Sequence, residues 1–398
     1  MKTKHFLFLL CWFSLKIFAQ NVWLPLNSGS TQDLKAISFP LDQEGYVAGD
    51  NGTLLKTSNA GSTWTNLNPG TSNDLLSVHF PGQSTGYVIS EHNVFRTTNA
   101  GSTWQPVYSD TLNLFNVIYF VNDSTGFIGT SGSILKTSDY GASWTNVQNT
   151  SNKITSICFP SLSSGYFAGG PGIQDAVYKT TDLGQSFSSY TIGVQSIKEK
   201  IYFIDDLVGY IIGWYAGTLS KTTNGGQTWT QVITSHDIQG WDVYFSDQAH
   251  GFYIDNSSGW SKIFSSHDSG ITWTADANGS TYTYRKFLFT SSGKGYAVGK
   301  AGGIYSTQLA TALQPSKNET PVKLCIRPNP NNGYFKIESY SDLHLTLINS
   351  TGQKIKTIHL DHFNSHAAEL NGLAEGIYYL NGENESGDFI HEKIIVRR

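Results

Sequence analysis

The chain repeats itself about every forty residues, and this period restricts its fold more than any other feature. The octet TSNAGSTW (57–64) returns as TTNAGSTW (97–104) and TSDYGASW (137–144), then more loosely as TTDLGQSF (180–187), TTNGGQTW (222–229) and SHDSGITW (266–273). A second signature, Phe-x5-Gly followed by Tyr or Phe, begins at Phe39, Phe80, Phe120, Phe159, Phe203, Phe245 and Phe289. Repeats of this length stack as solenoids or close as propellers. The unequal numbers, seven signatures against six octets, select between the two. Sixteen residues separate the closing aromatic of an octet from the next signature Phe, except for fifteen between Trp144 and Phe159. Trp23 stands sixteen residues before Phe39. It therefore fills the aromatic slot of a module whose other strands fall at 284–307. An N-terminal strand that completes the last module has a use only in a ring, where closure protects the sheet edges. The expected fold is all-β: a seven-bladed β-propeller over 20–309, its N-terminal strand closing the last blade, followed by a small β-sandwich domain.

Each module reads as four strands, in the first case at 34–39, 45–49, 53–58 and 63–67, with Ile37 and Phe39 alternating against Ala36 and Ser38. The octet then becomes the hairpin between strands three and four. Asn59, Asn99, Asp139, Asp182, Asn224 and Asp268 are expected as turn acceptors, Asn59 bonding its own backbone two residues on. Gly61, Gly101, Gly141, Gly184, Gly226 and Gly270 are expected at positive φ. The aromatic ending each octet should pack between blades, a Trp there removing ~200 Å² from water. These residues resemble the Asp-box repeats of sialidases. Across nearly all of 21–309 they resemble the repeats of the photosystem II stability and assembly factor family. The resemblance implies a propeller with the boxes at its outer blade corners, where these residues are structural and not catalytic.

The two ends differ from this rhythm. Lys2 and Lys4, the mostly apolar run from Phe6 to Leu15, and Ala19 read as a secretory signal over 1–19. A Pro-containing linker at 310–320 ends the repeats. Residues 321–398 show alternating runs broken by Asn-Gly and Thr-Gly turns, which predict the sandwich. Pro328-Asn329-Pro330 with Gly333, then Gly352-Gln353, Gly376-Ile377-Tyr378 and Lys393 resemble, in order, the type A C-terminal sorting domain of the type IX secretion system. That resemblance implies a Bacteroidota-type organism, the type IX machinery as partner of 321–398, and a secreted or outer-surface location. After the signal, no stretch approaches the ~20 apolar residues of a membrane span. A net charge of −4 without a basic cluster leaves no footprint for nucleic acid. Cys158 and Cys325 fall in separate expected domains, so no disulfide is predicted.

Catalysis can be weighed against the residue supply. Sialidases grip a carboxylate with clustered arginines, yet 20–309 contains only Arg96 and Arg285. Other glycosidases need two carboxyls ~5–9.5 Å apart. Asp110, Asp175, Asp237 and Asp255 lie on loops, and no spacing pairs them. His236-Asp237 and His267-Asp268 lack partners at metal-ligand spacing, and no phosphate loop occurs, so neither metal nor cofactor is expected. One asymmetry remains. Three residues before the signature Phe stand Ala36, Ser77, Val117 and Ser156 in the first four modules, but Lys200, Asp242 and Lys286 in the last three. The same modules carry Trp214, Tyr215 and Trp260 between strands two and three. Trp241, Tyr282, Tyr284 and Arg285 enter their first strands. This predicts a rim patch stacking on a sugar or peptide above a Lys–Asp–Lys row, against the plainer reading of charges satisfying one another and aromatics filling loops. The functional expectation is a secreted or surface, non-catalytic propeller that binds an unknown extracellular protein or glycan. The alternatives are a secreted glycoside hydrolase of the Asp-box propeller type, other than a sialidase, and an assembly factor for another envelope protein.

Overall fold

The computed structural model describes residues 22–161, 163–170, 176–193, 197–214, 217–233, 238–257, 261–276, 283–308, 325–327, 333–338, 343–349, 353–360, 367–384 and 389–397. The expected signal and linker lie outside them. Two compact units form, a propeller and a sandwich.

Seven four-stranded antiparallel sheets make the first unit. Blade one consists of Leu34–Ser38, Gly45–Gly49, Leu54–Thr57 and Thr65–Leu67. Blades two to six occupy 77–109, 115–149, 156–191, 197–233 and 240–275. Blade seven combines Tyr284–Phe289, Lys294–Gly299 and Ile304–Gln308 with Leu24–Leu26, which pairs antiparallel so that Leu24 faces Ser306 and Leu26 faces Ile304. First strands of successive blades lie against one another, and that of blade seven lies against that of blade one.

The Phe-x5-Gly-Tyr signature is the cement between blades. A Cβ on Gly45 would fall 2.3 Å from the Phe39 ring, and one on Gly86 the same distance from Phe80. Only glycine lets each Phe lie flat on its own second strand. The free face of that Phe receives the second-strand aromatic of the preceding blade. Tyr46 stacks on Phe80 at 3.7 Å, Tyr87 on Phe120 at 3.7 Å, and Tyr210 on Phe245 at 3.7 Å. Tyr296 of blade seven stacks on Phe39 of blade one at 4.2 Å, which carries the series around to its start. The octet aromatics meet these Phe rings edge-on, Trp64 at 6.2 Å and Trp104 at 6.0 Å. Trp23 meets Phe289 in the same way, at 6.0 Å and 75°. The slot deduced for Trp23 is thus the one it occupies. The full burial expected of the octet aromatics holds for Trp104 and Trp144, whereas Trp64, Phe187, Trp229 and Trp273 keep an exposed edge. The deepest aromatics are instead the second-strand ones, Tyr46, Tyr87, Phe127, Tyr166, Tyr210, Phe252 and Tyr296, none above 2 % exposed.

The second unit has a sheet of Leu343–Asn349, Lys354–Leu360, Gly376–Asn384 and Phe389–Val396 and a three-stranded sheet of Cys325–Arg327, Phe335–Glu338 and Ala367–Leu370. Phe335, Ile337, Leu345, Leu347, Leu380 and Ile394 form its core. Gly333 adopts φ 95°, a conformation that disfavours any side chain. Tyr378 is buried, with its hydroxyl donating to the Ala374 carbonyl at 3.0 Å. Of the other motif residues, Pro328, Asn329, Pro330 and Gly352 lie outside the described residues, as does the Lys393 side chain.

Candidate functional site

The octets resolve first, because their geometry removes them from consideration as chemistry. In blade one, Asn59 Oδ1 accepts the Thr57 hydroxyl at 3.0 Å and the Thr63 N–H at 2.9 Å. The Asn59 side chain thus reaches four residues along the chain and ties Thr57 to Thr63, instead of closing a two-residue turn. Ala60 and Gly61 follow at φ 53° and 79°. Asn99, Asp139, Asp182, Asn224 and Asp268 repeat the bond to the residue four positions on. Gly101, Gly141, Gly184, Gly226 and Gly270 repeat the positive φ. The carbonyl that the turn leaves outward is capped by the preceding blade. Lys56 Nζ and the Tyr46 hydroxyl both donate to Ala100 O, at 2.8 and 2.9 Å, and Lys221 and Tyr210 do the same to Ser269 O, at 3.1 and 2.9 Å.

The first strands, away from the octets, face the channel. A cavity of about 350 Å³ is lined by first strands of all seven blades, and Ala36, Ser77, Val117, Ser156, Lys200, Asp242 and Lys286 all border it. The expected juxtaposition of charges is present. Lys200 Nζ lies 3.8 Å from Asp242 Oδ1. Asp242 nevertheless does a second job. Ser77 and Ser156 Oγ accept N–H groups from Ile118 and Ile201 of the next blade, at 3.4 and 3.1 Å. Asp242 Oδ2 fills the same role, accepting Phe287 N–H at 2.9 Å, while Oδ1 accepts Val243 N–H at 3.0 Å. With only 1 % of its surface exposed, Asp242 is a pin between blades six and seven. Lys200 and Lys286 keep partial exposure. Lys35, a further ammonium on the lining, is held by Asp50 and by Asp74 at 2.8 Å. His79, also on the lining, has its ring nitrogen Nε2 3.0 Å from Phe120 O, and burial lowers its pKa to about 4.

Above this row the expected aromatic rim is only partly realised. Trp214 ends strand Gly209–Trp214, opposite Ile197, and is half-buried. Trp241, partly buried, packs on the core of blades six and seven. Arg285 lies 5.5 Å over its ring and donates to Asp33 Oδ2 at 3.3 Å, joining blade seven to the approach of blade one. Tyr284 departs from expectation. It is 2 % exposed and meets Tyr305 edge-on at 5.0 Å, because a bulge between Tyr284 and Lys286 breaks the strand alternation and turns it to the buried face that Phe287 shares. It belongs to the core and offers no stacking face. Tyr215, Trp260 and Tyr282 lie outside the described residues.

The acids considered for glycosidase chemistry are committed elsewhere. Asp110 accepts Leu112 N–H at 2.8 Å and Asn113 Nδ2 at 2.7 Å. Asp255 accepts Gln239 N–H at 2.8 Å and both the N–H and hydroxyl of Ser257, at 2.9 and 2.8 Å. Asp175 and Asp237 lie outside the described residues. A cleft that sequence reasoning missed, of about 480 Å³, opens among blades one to four between Asn73, Glu91, His92, Leu114, Asn116 and Lys153. Leu114 and Lys153 share one module position, six residues before the signature Phe, but they differ in kind, and the other four occupy inequivalent positions, so aligning the repeats gives no signal for them. Among the described residues no group of three metal-ligating side chains converges, and no helix is long and apolar enough to cross a membrane.

Comparison with known proteins agrees with this picture. A family model of the secretion system C-terminal sorting domain matches residues 326–397, and one of the photosynthesis system II assembly factor YCF48 matches residues 16–112. Among solved structures, YCF48 bound to D1 peptide superposes with TM-score 0.63 and 19 % identity, over 75 % of this chain and 98 % of its own. PorZ of Porphyromonas gingivalis, an essential surface component of its type-IX secretion system, gives TM-score 0.53 and 12 % identity, over 91 % of this chain and 59 % of PorZ. The GH74 enzyme of Niastella koreensis gives TM-score 0.59 and 14 % identity, over 94 % and 74 %. No curated protein matches the chain in sequence. At these identities the structural likenesses establish the β-propeller fold. The sorting-domain match marks the protein for type IX export to the cell surface or the extracellular space.

Proposed function

We propose that the propeller is a non-catalytic binding module which, once exported, seats an acidic group of a protein or glycan partner at the channel mouth of blades five to seven. The observation that carries this reading is the placement of Lys200 and Lys286 on one cavity around a single, already engaged carboxyl, Asp242. An ammonium in a recess walled by protein attracts an anion more strongly than one in open water. Trp214, half-buried, belongs to the same blades and supplies a flat aromatic surface for a sugar ring or peptide side chain. YCF48, a propeller seen with a bound peptide, supports the binding reading by likeness of fold.

The hydrolase reading takes support from the likeness to the GH74 enzyme, which is one of fold. It needs two carboxyls free to exchange protons across a groove. Asp242 spends both oxygens on backbone N–H groups, and Asp110 and Asp255 each spend one on backbone N–H groups and the other on a neighbouring side chain, which suits a turn or strand acceptor better than an acid or base.

The test is a combined glycan array and pulldown from outer-envelope extract, comparing the full chain with Lys200→Ala/Lys286→Ala and Trp214→Ala variants. The expected result is loss of the captured ligand in both variants with thermal stability unchanged. Retained capture, or a drop in stability with capture intact, overturns the reading.

A further inference from the structure

We propose that the outer face of the sandwich carries a divalent transition-metal site built on the cross-strand pair His344 and His359. The two residues lie directly opposite each other on adjacent antiparallel strands, Leu343–Asn349 and Lys354–Leu360. Both side chains are exposed, on the face away from the Leu343, Leu345, Ile358 and Leu360 core. Their Nδ1 atoms stand 2.5 Å apart, with ring centroids at 4.6 Å and planes at 79°.

That arrangement has a definite chemistry. Two imidazole nitrogens turned toward one point hold either a shared proton or a metal ion. A neutral imidazole nitrogen ligates zinc at about 2.0–2.1 Å, so an ion between the rings requires them to part by less than ~1 Å from their present contact. Exposed side chains anchored on a rigid sheet make that adjustment without disturbing the core. Two imidazole nitrogen donors suit copper(II) and zinc(II). The usual order of stability favours copper. Calcium and magnesium, which demand oxygen donors, are excluded.

The rigid pairing predicts chelation, in which the second ligand binds at high effective concentration once the first is engaged. Losing one histidine then weakens binding by on the order of a hundredfold. Isothermal titration of the full chain with zinc(II), and electron paramagnetic resonance of the copper(II) form, test this directly against His344→Gln, His359→Gln and the double variant. The expected result is one site that disappears equally in either single variant, with no further loss in the double variant. The copper spectrum should show two nitrogen ligands in the wild type and fewer in each variant. Because both side chains are exposed, the metal-free variants should melt with the wild type, which separates loss of ligand from loss of fold. Zinc affinity unchanged in the single variants, or a wild-type copper spectrum without paired nitrogens, overturns the proposal.

Discussion

A single turn residue shows how the repeats divide between two chemistries. Asp139 receives the hydroxyl and the N–H of Ser143 and the hydroxyl of Thr137, and these bonds hold its carboxyl down to a pKa of about 2. Asp182 is depressed in the same way by Ser186. In Asp268 burial pulls upward, but the bonds from Thr272 and Ser266 prevail and the net direction is down. Asn59, Asn99 and Asn224 fill the same slot with an amide that does not titrate. An unfolded Asp titrates near ~3.9, so at acid pH the unfolded chain binds protons that these folded turns refuse. Their contribution is therefore complete above ~pH 4 and is lost as the pH falls through the depressed folded values. His79 acts earlier. Burial lowers it to about 4, so the unfolded chain gains a proton from ~6.5 downward while the folded chain does not, and stability falls across that window. The melting temperature should decline in two stages. An Asp139→Asn/Asp182→Asn/Asp268→Asn variant should lose only the lower one, as circular dichroism melts between about pH 2 and 7 would show. A lower stage that persists in the triple variant would assign the acid sensitivity to other carboxyls.

At the scale of a strand, the segment Leu24–Leu26 is short and mostly exposed, so its hold on blade seven depends on Trp23. That ring is 4 % exposed, meets Phe289 edge-on and donates from Nε1 to Asp276 Oδ2 at 3.2 Å. Trp23→Ala should cost about 3–5 kcal/mol, measured by urea unfolding, whereas Leu24→Ala, at a residue 59 % exposed, should change little. Equal costs for the two would mean that the strand is held by its ladder alone. This closure could be read from sequence because the aromatic and the next Phe stand sixteen residues apart in every case but one, where they stand fifteen apart, so one orphan Trp betrayed the permutation. The partner of each Phe could not be read. Tyr46 reaches Phe80 across a blade boundary, and spacing along the chain carries no record of which ring faces which. Asp242 misled for a related reason. In sequence it is a charge beside two lysines, but in space it does the work of Ser77 and Ser156, accepting an N–H from the next blade. Tyr284 misled because alternation counted back from Phe287 puts it on the outward face, whereas a bulge between Tyr284 and Lys286 turns it inward, and no residue type marks that bulge in the sequence.

At the scale of the whole chain, two units with separate hydrophobic cores serve separate ends. The propeller repeats its octet turns and its stacked aromatics from blade to blade while the side chains three residues before each signature Phe vary, so those positions can change without disturbing the stacked Tyr–Phe series. The sandwich closes its own core around Phe335, Leu345, Leu347, Leu380 and Ile394. A unit with a self-contained core keeps its fold when moved to another carrier. Residues 321–398 fused to a signal-bearing fluorescent reporter should therefore direct that reporter to the surface or medium of a type IX-competent cell. The propeller without them should stay inside the outer membrane. A Leu347→Asp version of the same fusion supplies the control, since an unpaired carboxylate at a fully buried position collapses the sandwich. Fractionation and immunoblotting read the outcome. If the Leu347→Asp fusion is exported as efficiently as the intact one, the machinery reads a linear segment of the tail and the folded sheet face has no part in sorting. If only the intact fusion leaves the cell, recognition depends on the folded sandwich.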